Sequence, residues 1–211
     1  MKYILFDVAG TLLYKPSFYV KISEVLMQFG YSVEEKTIKN NHKILSESIF
    51  FPDRTSEEFY ANFNKEFLYS LGIIPTEELL KAIFQACSYL PWEKFDDAEF
   101  LNEIKLPVGI ISNFNSTLKE KLKSFFNIDF ADIFVSEELG IAKPSLDFYK
   151  RALEKIGVDP SEIIYVGDSV KLDLEPAQKL GINAYVIDRE NYFQVQKNRI
   201  SSLYDLKTIL Q

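Results

Sequence analysis

Apolar residues along this chain fall into two patterns with different periods. Uninterrupted short runs recur at Tyr3–Phe6 (YILF), Pro107–Ile111 (PVGII), Ile133–Val135, Ile163–Val166 (IIYV) and Ala184–Ile187 (AYVI). Runs that are apolar at every position suit strands buried on both faces, as in a parallel sheet. Between them the apolar residues recur at helical spacing. Phe18, Ile22, Val25 and Phe29 form one stripe, with Ser17 placed to cap its start and Gly30 its end. Ser145 stands in the same relation to Phe148, Ala152, Leu153 and Ile156, with Gly157 closing the helix. Thr117–Phe126 and Leu172–Leu180 fill two further gaps. Strand and helix alternate from about residue 100 onward. That alternation predicts an α/β fold, a Rossmann-like, doubly wound parallel sheet.

The stretch after the first strand breaks the alternation. Residues 17–29, 34–49, 56–71 and 76–88 read as helices only, with breaks at Gly30, Phe51-Pro52-Asp53 and Gly72 to Pro75. A helical block inserted there predicts a cap. The expected division is a core domain of residues 1–14 and 92–211 and a cap of residues 15–91. Pro91 and the acidic pair Asp96-Asp97 mark the return. The aromatic set Phe50, Phe51, Phe59, Tyr60, Phe63, Phe67 and Trp92 is expected to fill the cap core. His42, beside Lys43, is expected to face solvent, and Cys87 to be a small core residue.

Composition narrows the chemistry. At 211 residues, 47% hydrophobic and 26% charged, the chain has the make-up of a soluble globular protein. A net charge of −7 disfavours nucleic acid as a partner, because phosphate backbones need a basic face. One cysteine and one histidine exclude a disulfide framework and a Cys/His zinc site within the chain. A Ser-His-Asp triad would have to use His42. No apolar stretch has transmembrane length, so no membrane partner is expected. Asp7 interrupts the N-terminal apolar run, which argues against a signal peptide and for a cytoplasmic location. The sequence leaves the oligomeric state open.

Four segments fall at or just after the C-terminal ends of predicted strands, the edge where open α/β sheets bind ligands. They are Asp7 after YILF, Ser112-Asn113 after VGII, Lys143-Pro144 ahead of a helix, and Gly167-Asp168-Ser169 after IIYV, with Asp173 beyond. Together they offer carboxylates, a hydroxyl and an ammonium. Magnesium-assisted chemistry on a phosphate needs that set: oxygen ligands for the metal, a carboxylate to attack phosphorus, and Lys and Ser to take up charge. Each residue also has a plainer reading. Asp7 suits a turn, Lys143 a solvated loop, and Ser112 or Asp168 a helix cap.

The segments FDVAGTLL, IISNFN, IAKPSLDFY and YVGDSVKLDLEPAQKLG, in this order and spacing, resemble the haloacid dehalogenase-like (HAD) hydrolase superfamily, in its small helical-capped branch. The resemblance spans nearly the whole chain. It implies that Asp7 is the nucleophile, forming an aspartyl-phosphate, and a Mg²⁺ ligand. Thr11 supports its loop. Ser112, helped by the backbone N–H of Asn113, binds the phosphoryl group. Lys143 neutralises Asp7 and the phosphate. Asp168 binds Mg²⁺ directly and Asp173 directly or through water, while Gly167 permits close approach. The backbone carbonyl of Ala9 completes the metal shell. The implied substrate is a small phosphorylated molecule.

One position departs from the pattern. Phosphatases of this family carry Asp where Ala9 stands, as general acid for the leaving group and base for water. Losing such a group costs roughly 10²- to 10⁴-fold in rate. The expected function is a phosphatase with weakened acid/base catalysis. The alternative is an inactive HAD-fold binding or regulatory protein. A further one is C–P cleavage like that of phosphonoacetaldehyde hydrolases, whose DxAGT motif is matched by DVAGT; Lys36, Lys39 or Lys43 would then supply the Schiff-base amine. Dehalogenation is a fourth reading, disfavoured by the carboxylates suited to a cation.

Overall fold

The computed structural model describes residues 1–49 and 56–210. The expected break at Phe51-Pro52-Asp53 and the aromatic residues Phe50 and Phe51 lie outside the described residues. The chain forms two compact units, Met1–Tyr14 with Lys94–Gln211, and Lys15–Glu93. No helix among the described residues is long and apolar enough to cross a membrane.

The first unit is built on a six-stranded parallel sheet. Its strands are β1 (Tyr3–Phe6), β2 (Val108–Ser112), β3 (Asp132–Val135), β4 (Ile163–Gly167), β5 (Asn183–Ile187) and β6 (Arg199–Ile200), in the spatial order β3-β2-β1-β4-β5-β6. The register pairs Leu5 with Gly109 on one side and Tyr165 on the other, so β1 lies at the centre. Strands β1, β2 and β4 are buried at every position, as their unbroken apolar runs require. The two-residue strand β6 was not visible as an apolar run; Val186 pairs with Arg199 and Ile187 with Ile200. One face of the sheet packs Leu5, Ile111, Tyr165 and Ala184 against Phe148, Tyr149 and Ala152.

In chain order the helices of the second unit are α1 (Phe18–Gln28), α2 (Glu35–Ser48), α3 (Glu57–Ser70) and α4 (Glu77–Cys87). Ile22, Leu26, Ile38, Phe63, Phe67, Leu79 and Ile83 form their common core. The hydroxyls of Ser56 and Thr76 accept the N–H groups of Phe59 and Leu79 and cap α3 and α4. Ser17 precedes α1 without a side-chain cap. Phe63 and Phe67 are core residues as expected, Phe59 packs at its flank and Tyr60 is exposed, while Cys87 packs at the edge of the core.

His42 departs from its expected solvent-facing role. Its ring meets Phe63, Phe18, Tyr19 and Phe67 edge-on, with centroids 5.0, 5.1, 5.5 and 5.6 Å away. Burial, with a smaller contribution from the Lys43 charge, pushes its pKa down to about 4, so the ring is held neutral.

The helices of the first unit include α5 (Leu118–Phe125), α6 (Leu146–Ile156) and α7 (Glu175–Lys179). The helix expected over 172–180 is shorter and starts after a wide π-type turn, Val170–Leu174. That turn carries Asp173 back beneath the end of β4.

Candidate active site

Every chemistry-bearing segment lies at the C-terminal edge of the sheet. Asp7 follows β1, and its N–H donates to the Val166 carbonyl of β4 at 2.9 Å. The chain then makes a tight turn. Leu12 and Leu13 both donate N–H to the Val8 carbonyl at 2.9 Å, and Gly10 N–H donates to Leu13 at 2.8 Å. Gly10 has φ +82°, a conformation that side chains resist. A Cβ there would also overlap the Asp168 carboxylate. Ala9 is exposed at this turn.

Lys143 lies at the centre of the site. Its ammonium donates to Asp7 Oδ1 at 2.7 Å and Asp173 Oδ1 at 2.6 Å, with all three side chains nearly sealed from solvent at 3%, 6% and 2% exposure. Charges taken out of water survive only when paired and hydrogen-bonded. The backbone of Lys143 is fixed by Asn113: the Lys143 N–H donates to Asn113 Oδ1 at 2.8 Å, and Asn113 Nδ2 donates to the Lys143 carbonyl at 3.0 Å. The Asn113 side chain thus tethers the β2 end to the lysine loop.

Ser112, buried at the end of β2, donates its hydroxyl to Asp7 Oδ1 at 3.1 Å. It does not cap α5, whose cap position is Thr117. Thr11 Oγ1 reaches Asp7 Oδ2 at a longer 3.4 Å. Asp168 follows β4. The capping role its position suggested falls to Ser169, whose hydroxyl accepts the Leu172 N–H at 2.9 Å. Gly167 is required by the approach of Asp173: a Cβ at this glycine would overlap the Asp173 carboxyl carbon. Asp173 accepts the Ser169 N–H at 3.0 Å through Oδ2.

Tyr165 is a site residue that its place in an apolar strand concealed. Its hydroxyl donates to Asp173 Oδ1 at 2.6 Å and accepts from the Lys143 ammonium at 3.3 Å. A tyrosine inside an otherwise aliphatic run, three residues before the candidate metal ligand Asp168, was the available signal. Tyr149 packs edge-on against it at 5.8 Å and donates its hydroxyl to the Leu172 carbonyl at 2.5 Å. All buried side-chain polar atoms among the described residues have partners.

The electrostatics follow from this crowding. Burial raises the Asp7 pKa; Lys143 opposes this, and Asp173 and Asp168 reinforce it, leaving the group at about 6. Burial pulls the Lys143 ammonium down, but Asp173 and Asp7 more than offset that and hold it above its ordinary value. Asp7, Asp168 and Asp173 each offer one oxygen within 4.8 Å of the others. Three carboxylates, two of them paired with one lysine, form a site with an excess of negative charge. That donor set fits Mg²⁺.

The parallel sheet thus presents a buried carboxylate, a lysine, a serine and an acidic cluster at its C-terminal edge, the place where open α/β sheets bind ligands. Residues 1–181 match the haloacid dehalogenase-like hydrolase family, and the chain belongs to that family. It is similar to a glyceraldehyde 3-phosphate phosphatase of Methanocaldococcus jannaschii, 36% identical over 119 residues, which cover 53% of this chain and 52% of that protein. It is also similar to haloacid dehalogenase-like hydrolase domain-containing protein 3 of Danio rerio, 31% identical over 110 residues, covering 50% and 46%. The chain thus spans about half the length of these curated relatives. In fold it resembles the HAD-hydrolase YfnB of Bacillus subtilis, with a TM-score of 0.68 at 20% identity, covering 100% of this chain and 98% of that one.

Proposed function

We propose that this protein is a Mg²⁺-dependent phosphatase of small phosphorylated molecules, acting through an aspartyl-phosphate at Asp7 and restricted by Ala9 to leaving groups that need little protonation. The observation that carries the reading is the Asp7 carboxylate, buried, oriented by Lys143 at 2.7 Å and Ser112 at 3.1 Å, with Asp168 and Asp173 beside it. The similarity to a protein named as a glyceraldehyde 3-phosphate phosphatase supports phosphatase activity, while the leaving-group restriction rests on Ala9 alone.

Asp7 and Asp168 are the residues that would hold Mg²⁺, with the Ala9 carbonyl. Asp173 would hold it directly or through water, its carboxylate being fixed by Lys143 and the Ser169 N–H. When bound, the cation supplies positive charge to the phosphate oxygens and to Asp7. Ser112 donates its hydroxyl to a phosphoryl oxygen, with the Asn113 N–H helping, and Thr11 supports the loop. Lys143 neutralises the charge that accumulates as the Asp7 oxygen bonds to phosphorus. The leaving oxygen departs with the bonding electrons, and Ala9 has no proton to give it. A water then attacks the phosphorus of the aspartyl-phosphate, restoring Asp7 and releasing phosphate, again without a base at position 9. Acyl and aryl phosphates tolerate this handicap because their leaving groups are stable as anions.

The test is turnover of acetyl phosphate and p-nitrophenyl phosphate with Mg²⁺. Activity is expected in the natural protein, is lost in Asp7→Asn, and rises by about 10²-fold or more in Ala9→Asp. If the natural protein and Ala9→Asp are both inert while Mg²⁺ and phosphate bind, the reading fails in favour of a non-catalytic binding module.

A further inference from the structure

We propose that Arg189 is a positioning residue for the nucleophile loop: its guanidinium ties the Gly10 and Thr11 carbonyls to Asp97 and so sets the turn that carries Asp7 and Ala9. This rests on the phosphatase reading only for its catalytic consequence; the clamp itself rests on geometry.

Arg189 Nη1 donates to the Gly10 carbonyl at 3.1 Å, and Nη2 to the Thr11 carbonyl at 2.9 Å. Nε and Nη2 also donate to the two oxygens of Asp97 at 3.0 and 2.6 Å. The guanidinium lies 3.8 Å from the centroid of the Phe95 ring. Phe95 in turn donates its N–H to the Leu12 carbonyl at 3.1 Å and stacks on Tyr14 at 4.2 Å. One planar cation therefore joins residues 10 and 11, where the chain departs after β1, to residues 95 and 97, where it returns. Only arginine has the fork that meets two carbonyls and a bidentate carboxylate at once; a lysine is a point donor.

The arm is itself held rigidly. Asp188 N–H donates to the Ile200 carbonyl at 2.8 Å, and the buried Asp188 carboxylate accepts the N–H groups of Tyr192 and Phe193, each at 2.8 Å. Asp97 is fixed from its other side by the Ser202 hydroxyl at 3.1 Å and the Leu203 N–H at 3.0 Å. The clamp thus transmits the position of β5 and β6 to the Asp7 turn. An error of about 1 Å at a reacting group costs up to 10²-fold in rate, and loss of a group that orients metal ligands costs about 10- to 100-fold in affinity.

The experiment compares Arg189→Ala, Arg189→Lys and Asp97→Asn with the natural protein by amide hydrogen exchange and by titration with Mg²⁺. Arg189→Ala is expected to speed exchange in residues 8–14 while leaving β4 protected, to weaken Mg²⁺ binding about 10-fold or more, and to lower kcat with KM within about threefold. Arg189→Lys is expected to restore less than half of the lost protection, and methylguanidinium to restore activity to Arg189→Ala. If Arg189→Ala does not fold, Arg189→Lys and Asp97→Asn are read by the same measurements. Unchanged exchange in residues 8–14 together with unchanged Mg²⁺ affinity overturns the proposal. Full function in Arg189→Lys also overturns it. If the natural protein binds no Mg²⁺, the proposed function falls, and exchange alone decides the clamp.

Discussion

Replacing Lys143 with methionine removes a buried cation while keeping an unbranched side chain only one atom shorter. Lys143 is sealed between Asp7 Oδ1 and Asp173 Oδ1 at 2.7 and 2.6 Å. Without it two buried carboxylates face each other, with Asp168 nearby. Removing one member of a buried ion pair leaves an uncompensated charge and costs about 3–5 kcal/mol. For a chain of this size that corresponds to a fall of about 6–20 °C in melting temperature. The loss should depend on pH. Asp7 already sits at about 6, above its ordinary carboxylate value. A group raised in the folded state stabilises it below its unfolded pKa and loses that contribution as pH rises through the folded value. Removing Lys143 raises Asp7 further, so the deficit should be small near pH 5 and widen toward pH 8. Scanning calorimetry at both pH values measures this. Adding Asp7→Asn to Lys143→Met should recover part of the loss, since the neutral amide ends the repulsion. A Lys143→Met protein within about 1 kcal/mol of the natural one at pH 8 would falsify the reading of this triad as mutually dependent charges.

His42 supplies a second pH effect with the opposite sign. Its folded pKa of about 4 lies below the ordinary histidine value, so the unfolded chain binds the extra proton. Stability should be complete above about pH 6.5 and decline by about 2–3 kcal/mol as pH falls toward 4; His42→Leu should flatten that part of the stability curve, and an unchanged slope would count against the buried neutral ring. Gly10→Ala should cost about 1–3 kcal/mol from the strained φ alone. It should also weaken Mg²⁺ binding, measured by titration calorimetry, because the new Cβ displaces the Asp168 carboxylate; unaltered affinity would show that the two loops do not share a metal.

Much of this protein is legible in the sequence by itself. Short unbroken apolar runs alternating with helical stripes suit strands covered on both faces, so YILF, VGII and IIYV pointed to a parallel sheet, and the helical period of residues 17–88 to a separate helical block. Chemistry placed at strand ends was equally visible, because strand direction and turn position are local properties. Tertiary structure decided the rest. Tyr165 lies in an aliphatic run and became a polar site residue only because Asp173 was brought beneath Gly167 by a wide turn. His42 reads as polar on a helix, yet four aromatic rings from α1 and α3 close around it. Arg189 follows AYVI at the same sheet edge as the other site segments, but its partners are 92 and 179 positions away. Local patterns record which face of an element is apolar. Which distant groups meet across the sheet edge is set by strand order, and β1 lies between β2 and β4 only in the folded chain.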